Sequence, residues 1–229
     1  MFMKTTIIIT AGGIGKRMGA EIPKQFLLLG TTPILMSCIQ QFNTLDTDYQ
    51  ILVTLPSDWW EYWLDLCENH NFTIPHTLVE GGVERYDSIK NALARATGDI
   101  IAVHDGVRPL VSKSTIQSCL KLAQEKGNAV PVLPLKDSLR KGTLEKSTSK
   151  NRSEFYTVQT PQCFQRDVLL KAYQVAFTND ITDDASLVEK AGFQIFLTLG
   201  NEENIKITTP LDLKIGAVLM KAKNGSKYT

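Results

Sequence analysis

The residues best equipped for chemistry lie at the end of the first apolar run. Thr10-Ala11-Gly12-Gly13-Ile14-Gly15-Lys16-Arg17-Met18-Gly19 is followed closely by Pro23-Lys24-Gln25. Glycines directly after a strand let the backbone approach a phosphate and aim its amide N–H groups at it. Lys16, Arg17 and Lys24 place three cations within nine residues, opposed only by Glu21. A dinucleotide's pyrophosphate is held largely by backbone amides and a helix end. A triphosphate that must release pyrophosphate needs side-chain cations as well. The segment is not a Walker A loop, because Thr10 stands where the first glycine belongs and Arg17 replaces Ser/Thr. Met18 occupies the last glycine position of the dinucleotide fingerprint, so that pattern fails too. A basic surface loop is the plain alternative.

Two further clusters sit beside apolar runs. Gly81-Gly82-Val83-Glu84-Arg85-Tyr86-Asp87-Ser88 follows one strand pattern and opens a helical one. Its paired glycines suit close contact with the edge of a base or with a ribose, or else an ordinary turn into a capped helix. In Val103-His104-Asp105-Gly106-Val107-Arg108-Pro109 an apolar strand ends on a carboxylate. That places Asp105 at the carboxyl edge of a sheet, where ligands of open α/β folds bind. A single aspartate suits Mg²⁺, which takes one or two carboxylates and completes its shell with phosphates and water. Arg108 is close enough to meet an anionic acceptor. His104 points to the opposite face of the strand and reads as structural. Farther along stand Thr157-Val158-Gln159-Thr160-Pro161-Gln162, Thr182-Asp183-Asp184-Ala185-Ser186 and Asn204-Ile205-Lys206-Ile207-Thr208. Alone, Thr182 reads as a helix cap and Lys206 as a side chain reaching to solvent.

The elements that must position these residues alternate short apolar runs with helical patterns, which predicts an α/β domain with a mostly parallel sheet. Strands are expected at Thr5–Ala11, Gln50–Leu55, His76–Glu80, Ile100–His104, Ala129–Leu133 and Gln194–Leu199. Helices are expected at Pro33–Phe42, Asp58–His70, Glu84–Ala96 and Lys113–Lys126. Ser57 and Ser112 are candidate N-caps. Thr209-Pro210-Leu211-Asp212 offers a cap, a proline at the first helical position and an acid in the first turn. Trp59, Trp60 and Trp63, at helical spacing with Leu64 and Cys67, read as packing.

From Lys136 to Arg152 the rhythm breaks, with six basic residues, two acids and five Ser/Thr but only Leu139 and Leu144 apolar. Such a stretch cannot bury a face of its own and must protrude, either as a solvated excursion or as an arm that carries cations to a partner subunit. The whole chain has 229 residues, 43% of them hydrophobic, enough for a substantial core. Its 25 Lys+Arg against 24 Asp+Glu argue against a dedicated nucleic-acid or membrane-surface binder. No run approaches the ~20 apolar residues of a membrane span, and a cytoplasmic protein is expected. Cys38, Cys67, Cys119 and Cys163 lack metal-site or redox spacing and read as reduced, mostly buried thiols.

Taken together, AGGIGKRMG with PKQF, GGVERYDSIKNAL, VHDGVRP, PLKDS, TVQTPQCF, TDDAS and NIKITTPLDL resemble one family in its order. That family is the 2-C-methyl-D-erythritol 4-phosphate cytidylyltransferases of non-mevalonate isoprenoid synthesis. The matching pieces span Ala11 to Leu213. The resemblance implies a single Rossmann-like domain over 1–229, of the nucleotidyltransferase (glycosyltransferase-A-like) type, with helices on both faces of the sheet. It also implies a β-arm at 136–156 that crosses to the other subunit of a homodimer. It implies CTP, a sugar-alcohol phosphate and a divalent cation, Mg²⁺. By the resemblance, Arg17 and Lys24 stabilise charge on the α-phosphate, with Lys206 as a third catalytic residue. Ala11, Gly12, Gly13, Gly15 and Lys16 wrap the nucleotide; Gly81, Gly82 and Ser88 contact base and ribose; Asp105 faces the metal. Arg108, Thr160, Thr182 and Lys206 bind the acceptor, completed by Ser138 and Arg152 from the neighbouring subunit. Val83 departs from the family, in which aspartate is common there.

The implied reaction explains what the chain lacks. A phosphate monoester, with its second pKa near ~6, is already largely a dianionic nucleophile at pH 7, so no histidine base or Ser-His-Asp set is required. What must be supplied is orientation and relief of repulsion between two anions. A ribitol 5-phosphate cytidylyltransferase shares the glycine loop and QTPQ but fits TDDAS less well. An NAD-dependent oxidoreductase is disfavoured by the three cations and the missing third glycine. A catalytically silent nucleotide-binding module is disfavoured by Arg17 and Lys24 standing beside Asp105.

Overall fold

The computed structural model describes residues 3–13, 22–45, 48–178 and 180–225. In chain order the strands and α-helices are β1 (Thr5–Thr10), β2 (Leu28–Leu29), β3 (Thr32–Pro33), α1 (Ile34–Phe42), β4 (Tyr49–Leu55), α2 (Trp60–Asn69), β5 (Thr77–Glu80), α3 (Arg85–Leu93), β6 (Ile100–Asp105) and α4 (Lys113–Lys126). There follow β7 (Asn128–Pro134), β8 (Leu139–Gly142), β9 (Ser147–Lys150), β10 (Tyr156–Val158), β11 (Gln162–Gln165), α5 (Arg166–Ala172), α6 (Asp184–Lys190), β12 (Leu197–Leu199) and α7 (Pro210–Gly225).

β1 explains the sheet in miniature. Ile7 and Ile9 join a core cluster with Leu35, Met36 and Phe42 of α1, Trp63 of α2 and Ile116 of α4. Ile8 points the other way, into a second cluster with Ile89 of α3, Leu169 of α5 and Val188 of α6. A strand apolar on both faces must be covered on both, and helices do this for parallel sheets. Each of these fully buried isoleucines contributes about 2 kcal/mol. The main sheet runs β10-β7-β11-β6-β1-β4-β5, with β12 paired to β7. β1 pairs in parallel with β4 and with β6, and β4 in parallel with β5. The chain therefore builds outward from β1 in one direction and returns to its other side at β6. A crevice forms at such a switch point, outside the carboxyl ends of the strands. In register, Thr10 lies opposite Asp105, so the glycine loop and the carboxylate leave the sheet side by side.

The expected α/β sheet with helices on both faces is present, and Lys113–Lys126 is reproduced end to end, capped by the Ser112 hydroxyl accepting from Thr115 N. Five features differ from expectation. β11 lies between β6 and β7, antiparallel to both, in a stretch read as a polar motif. Ser57 opens a short 3₁₀ turn instead of capping α2, which starts at Trp60. The last strand covers only Leu197–Leu199, and α3 ends at Leu93. The cap of α6 is Asp183, in a capping box with Ser186, and not Thr182. All four cysteines are free, three buried and Cys67 partly so. Trp63 is fully buried with Phe26 stacked against it. No helix among the described residues is long and apolar enough to cross a membrane.

The basic segment forms a hairpin of its own, β8 against β9, separate from the main sheet. From Lys136 to Val158 no residue is buried.

Candidate active site

The first strand ends at Thr10, and Ala11 N continues the ladder by donating to Thr54 O at 2.9 Å. Ala11 is held from the other side by the buried Gln25, whose Nε2 donates to Ala11 O at 2.6 Å. Gln25 is the middle residue of the turn Lys24–Phe26, so this bond also fixes where Lys24 stands. A Cβ added at Gly13 would lie 3.9 Å from the Lys24 Cε, which brings the lysine stem alongside the glycine loop.

Across the crevice, β5 turns into α3 at Gly81-Gly82. Gly82 N donates to Ser88 Oγ at 2.9 Å, and Ser88 Oγ donates on to Glu84 O at 3.1 Å. A side chain at Gly82 would meet the Asp87 Cβ at 2.2 Å, so this turn requires glycine. Glu84 and Asp87 close a capping box that starts α3 and points its first residue, Arg85, into the crevice.

Arg85 ties two carboxylates together. Its Nη2 lies 2.7 Å from Oδ2 of Asp184, and its Nε lies 3.9 Å from Oδ1 of Asp105. Asp184 is buried and also accepts from the Tyr173 hydroxyl at 2.7 Å. Burial works against the Arg85 charge, but Asp184 and Asp105 more than compensate and hold it cationic. Burial and the Asp184 charge together push the Tyr173 phenol up, so it stays a neutral donor.

Asp105 is the hub. Its Oδ2 is 3.1 Å from Arg108 Nε and 3.1 Å from Lys206 Nζ. Burial alone would raise its pKa, but Arg85, Lys206 and Arg108 outweigh burial and hold it far below the usual carboxylate range. Arg108 is anchored further by Nη1 donating to Asn204 O at 2.8 Å. Lys206 is 45% exposed, and an ammonium has three donors, so it can serve Asp105 and a ligand at once. Behind the hub, burial pulls the His104 imidazole down to about 4, so the ring is neutral.

These groups face one cavity of about 360 Å³, large enough for a nucleotide-sized ligand. Among the expected site residues it is lined by Ala11, Gly12, Gly13, Lys24, Gly82, Ser88, Asp105 and Lys206. Arg108 joins it through Asp105. Thr160 is buried at the back, its Oγ1 accepting from Asp105 N. Thr182 lines an adjoining cavity of about 210 Å³ that shares Glu84 and Arg85 with the first. Gly81 sits one residue outside the lining, and Ser138 and Arg152 are on the exposed arm, with Arg152 Nη1 bonded to the Lys136 carbonyl. Gly15, Lys16 and Arg17 lie outside the described residues. Arg85, Asp184, Tyr173 and Gln25 were not singled out from the sequence. Arg85, Asp184 and Gln25 do lie inside motifs that were, which is the signal that could have found them.

Lys24, Arg85, Arg108 and Lys206 against two buried carboxylates make an anion-binding crevice at the switch point of an α/β sheet. That combination defines a nucleotide-handling enzyme of the phosphoryl- or nucleotidyl-transfer class. Residues 5–222 match the family model for 2-C-methyl-D-erythritol 4-phosphate cytidylyltransferase. The enzyme of that name from Bacteroides thetaiotaomicron is 45% identical over 220 residues, covering 95% of this chain and 100% of that one. The crystal structure of the Thermus thermophilus enzyme has a TM-score of 0.75 at 30% identity, covering 94% of this chain and 98% of that one. A 4-diphosphocytidyl-2C-methyl-D-erythritol synthase from Anaerococcus prevotii shares the fold at TM-score 0.81 and 22% identity, covering 95% of this chain and 96% of that one. The chain belongs to the 2-C-methyl-D-erythritol 4-phosphate cytidylyltransferase family. It is a CTP-dependent cytidylyltransferase that transfers CMP to 2-C-methyl-D-erythritol 4-phosphate with release of pyrophosphate.

Proposed function

We propose that the 360 Å³ crevice is where that transfer occurs, with Lys24 and Arg17 on the nucleotide side and Lys206 and Arg108 on the acceptor side. The observation that carries this assignment is the convergence of Arg85, Arg108 and Lys206 on one buried carboxylate, Asp105, beside the strand end from which the glycine loop departs. Ala11, Gly12, Gly13, Gly15 and Lys16 cradle the triphosphate, and Gly81, Gly82 and Ser88 meet the cytidine. Thr182 extends the acceptor side. An oxygen of the acceptor's dianionic phosphate attacks the α-phosphorus of CTP. The bond from that phosphorus to the bridging oxygen of the β-phosphate breaks, and pyrophosphate leaves with the electron pair. The protein's work is to hold two anions together and to neutralise charge that moves toward the leaving group. Lys24 and Arg17 meet that charge, while Lys206 and Arg108 fix the acceptor phosphate.

Among the described residues no three His, Cys, Asp or Glu side chains come together. Asp105 Oδ2 is occupied by Arg108 and Lys206, whereas among the described residues Oδ1 has only the 3.9 Å approach of Arg85. This single available carboxylate oxygen fits Mg²⁺, which would take its remaining ligands from phosphates and water and screen charge between the two substrates. The exposed arm supports a homodimer in which Ser138 and Arg152 complete the neighbour's acceptor side, and a cytoplasmic location accords with the absence of a membrane-spanning helix among the described residues. The test is pyrophosphate release from CTP and Mg²⁺ with 2-C-methyl-D-erythritol 4-phosphate or ribitol 5-phosphate in turn. Release is expected with the first acceptor; a preference for ribitol 5-phosphate would overturn the acceptor assignment.

A further inference from the structure

We infer that His104 and Thr160 are a coupled positioning pair that sets the placement of Asp105 and Arg108, and that Thr160 acts through this pair instead of by donating to the acceptor. The inference rests on Asp105 and Arg108 serving the transfer reaction, as proposed above.

The direction of each hydrogen bond follows from which atoms can donate. Asp105 N lies 3.1 Å from Thr160 Oγ1, and a backbone N–H only donates, so Thr160 accepts there. His104 Nε2 lies 3.0 Å from Arg108 O, and a carbonyl only accepts, so Nε2 carries a proton. The ring is fully buried against the edge of Phe42, with no carboxylate among its bonded partners, and a buried ring in that setting carries one proton. Nδ1 is therefore an acceptor. It lies 3.0 Å from Thr160 Oγ1, which must give it the hydroxyl proton. The chain of bonds runs one way, from Asp105 N–H through the Thr160 hydroxyl and the His104 ring to the Arg108 carbonyl.

Its two ends are the two functional residues. Arg108 N also donates to Asp105 O at 3.1 Å, so residues 105–108 form a tight turn whose start is held by the Thr160 hydroxyl and whose finish is held by the His104 ring. Thr160 is itself fixed from behind by Asn204 Nδ2, which donates to Thr160 O at 2.8 Å. The hydroxyl has a single proton and has given it to His104. A phosphate dianion offers only acceptors, so Thr160 cannot donate to it without releasing the ring. What Thr160 gives the reaction is orientation of the hub.

Two readouts test this. In the ¹⁵N-labelled wild-type protein, imidazole ¹H–¹⁵N correlations are expected to show His104 as the Nε2–H tautomer. His76 is the internal contrast, because its Nε2 accepts from Trp63 and its Nδ1 faces Ile74 O. His104 found as Nδ1–H would overturn the proposal, whatever the enzyme's activity. In the assay, Thr160→Val and His104→Phe are each expected to lower kcat/KM about tenfold, the scale of one buried hydrogen bond left unmade. Thr160→Ser is expected to restore it. The double variant is expected to fall no further than either single one. Additive losses, or full activity in Thr160→Val, would overturn the proposal. A variant that fails to fold leaves the tautomer measurement decisive. Absent turnover by the wild-type protein would count against the reaction assignment alone.

Discussion

At the scale of single residues, the site is governed by how few carboxylates must manage many cations. Arg85 illustrates it. Replacing Arg85 with Gln leaves Asp184 charged and buried, with Tyr173 as its remaining side-chain partner among the described residues. Breaking a buried pair from one side costs about 3–5 kcal/mol, and the lower end applies because Arg85 is one-third exposed. Arg85→Gln is thus expected to lose about 3 kcal/mol by urea denaturation, and kcat/KM with it, because Oδ1 of Asp105 loses its neighbour. An unchanged urea midpoint would refute the pairing. Lys24→Ala is expected to behave differently, with a normal midpoint but turnover down by at least ~10²-fold, as for the loss of a single charge-stabilising donor. These two residues also mark how far a sequence can be read. Lys24 stood out as a cation beside a glycine loop. Arg85 did not, because its meaning comes from Asp184, 99 positions away, and nothing local announces that contact.

At the scale of elements, most segments legible in advance were long enough to repeat their period, as β1, β4, β6 and α4 are, the four-residue β5 before Gly81-Gly82 being an exception. β11 has four residues, and α5 and α6 seven each, too short for two turns or three alternations to register. The start of α7 was legible from chemistry rather than period. Thr209 Oγ1 accepts from Asp212 N at 3.2 Å, and Asp212 Oδ2 accepts from Thr208 N, Thr208 Oγ1 and Thr209 N at 2.8–2.9 Å. This box anchors the segment that carries Lys206, since Ile207 N in turn bonds to Val107 O. Partial burial would raise the Asp212 pKa, but the bonds from Thr208 and Thr209 win and lower it. A carboxylate with a depressed folded-state pKa stabilises fully above its unfolded value and loses that contribution as pH falls through the folded one. Asp212→Ala is therefore expected to cost about 1 kcal/mol at pH 7. The gap from wild type should close as pH drops below the ordinary value of 3.8. A gap that persists in acid, measured by chemical denaturation at both pH values, would mean that the charge is not what holds the helix.

At the scale of the whole molecule, charge is balanced in sum and uneven in place. The formal net charge is +1, yet six cations sit on the exposed segment from Lys136 to Arg152, and four more surround the crevice. Within a single chain, Ser138 and Arg152 are not among the residues that line either cavity next to Asp105. If they act on an acceptor, they do so in another subunit, and a closed dimer makes that exchange reciprocal. Complementation separates this arrangement from an arm that serves its own chain. Arg152→Ala removes the arm's contribution, and Lys24→Ala removes the crevice's. In a heterodimer of the two, the crevice that retains Lys24 receives the intact arm of its neighbour, while the other site is doubly impaired. After subunit exchange in an equal mixture, about half the dimers are mixed and about half the sites in those are complete, so about a quarter of wild-type activity is expected. An arm that folded back on its own crevice would leave every chain defective in one residue or the other, and mixing would recover nothing. Pyrophosphate release from the mixture, set against each variant alone at the same chain concentration, decides between the two arrangements.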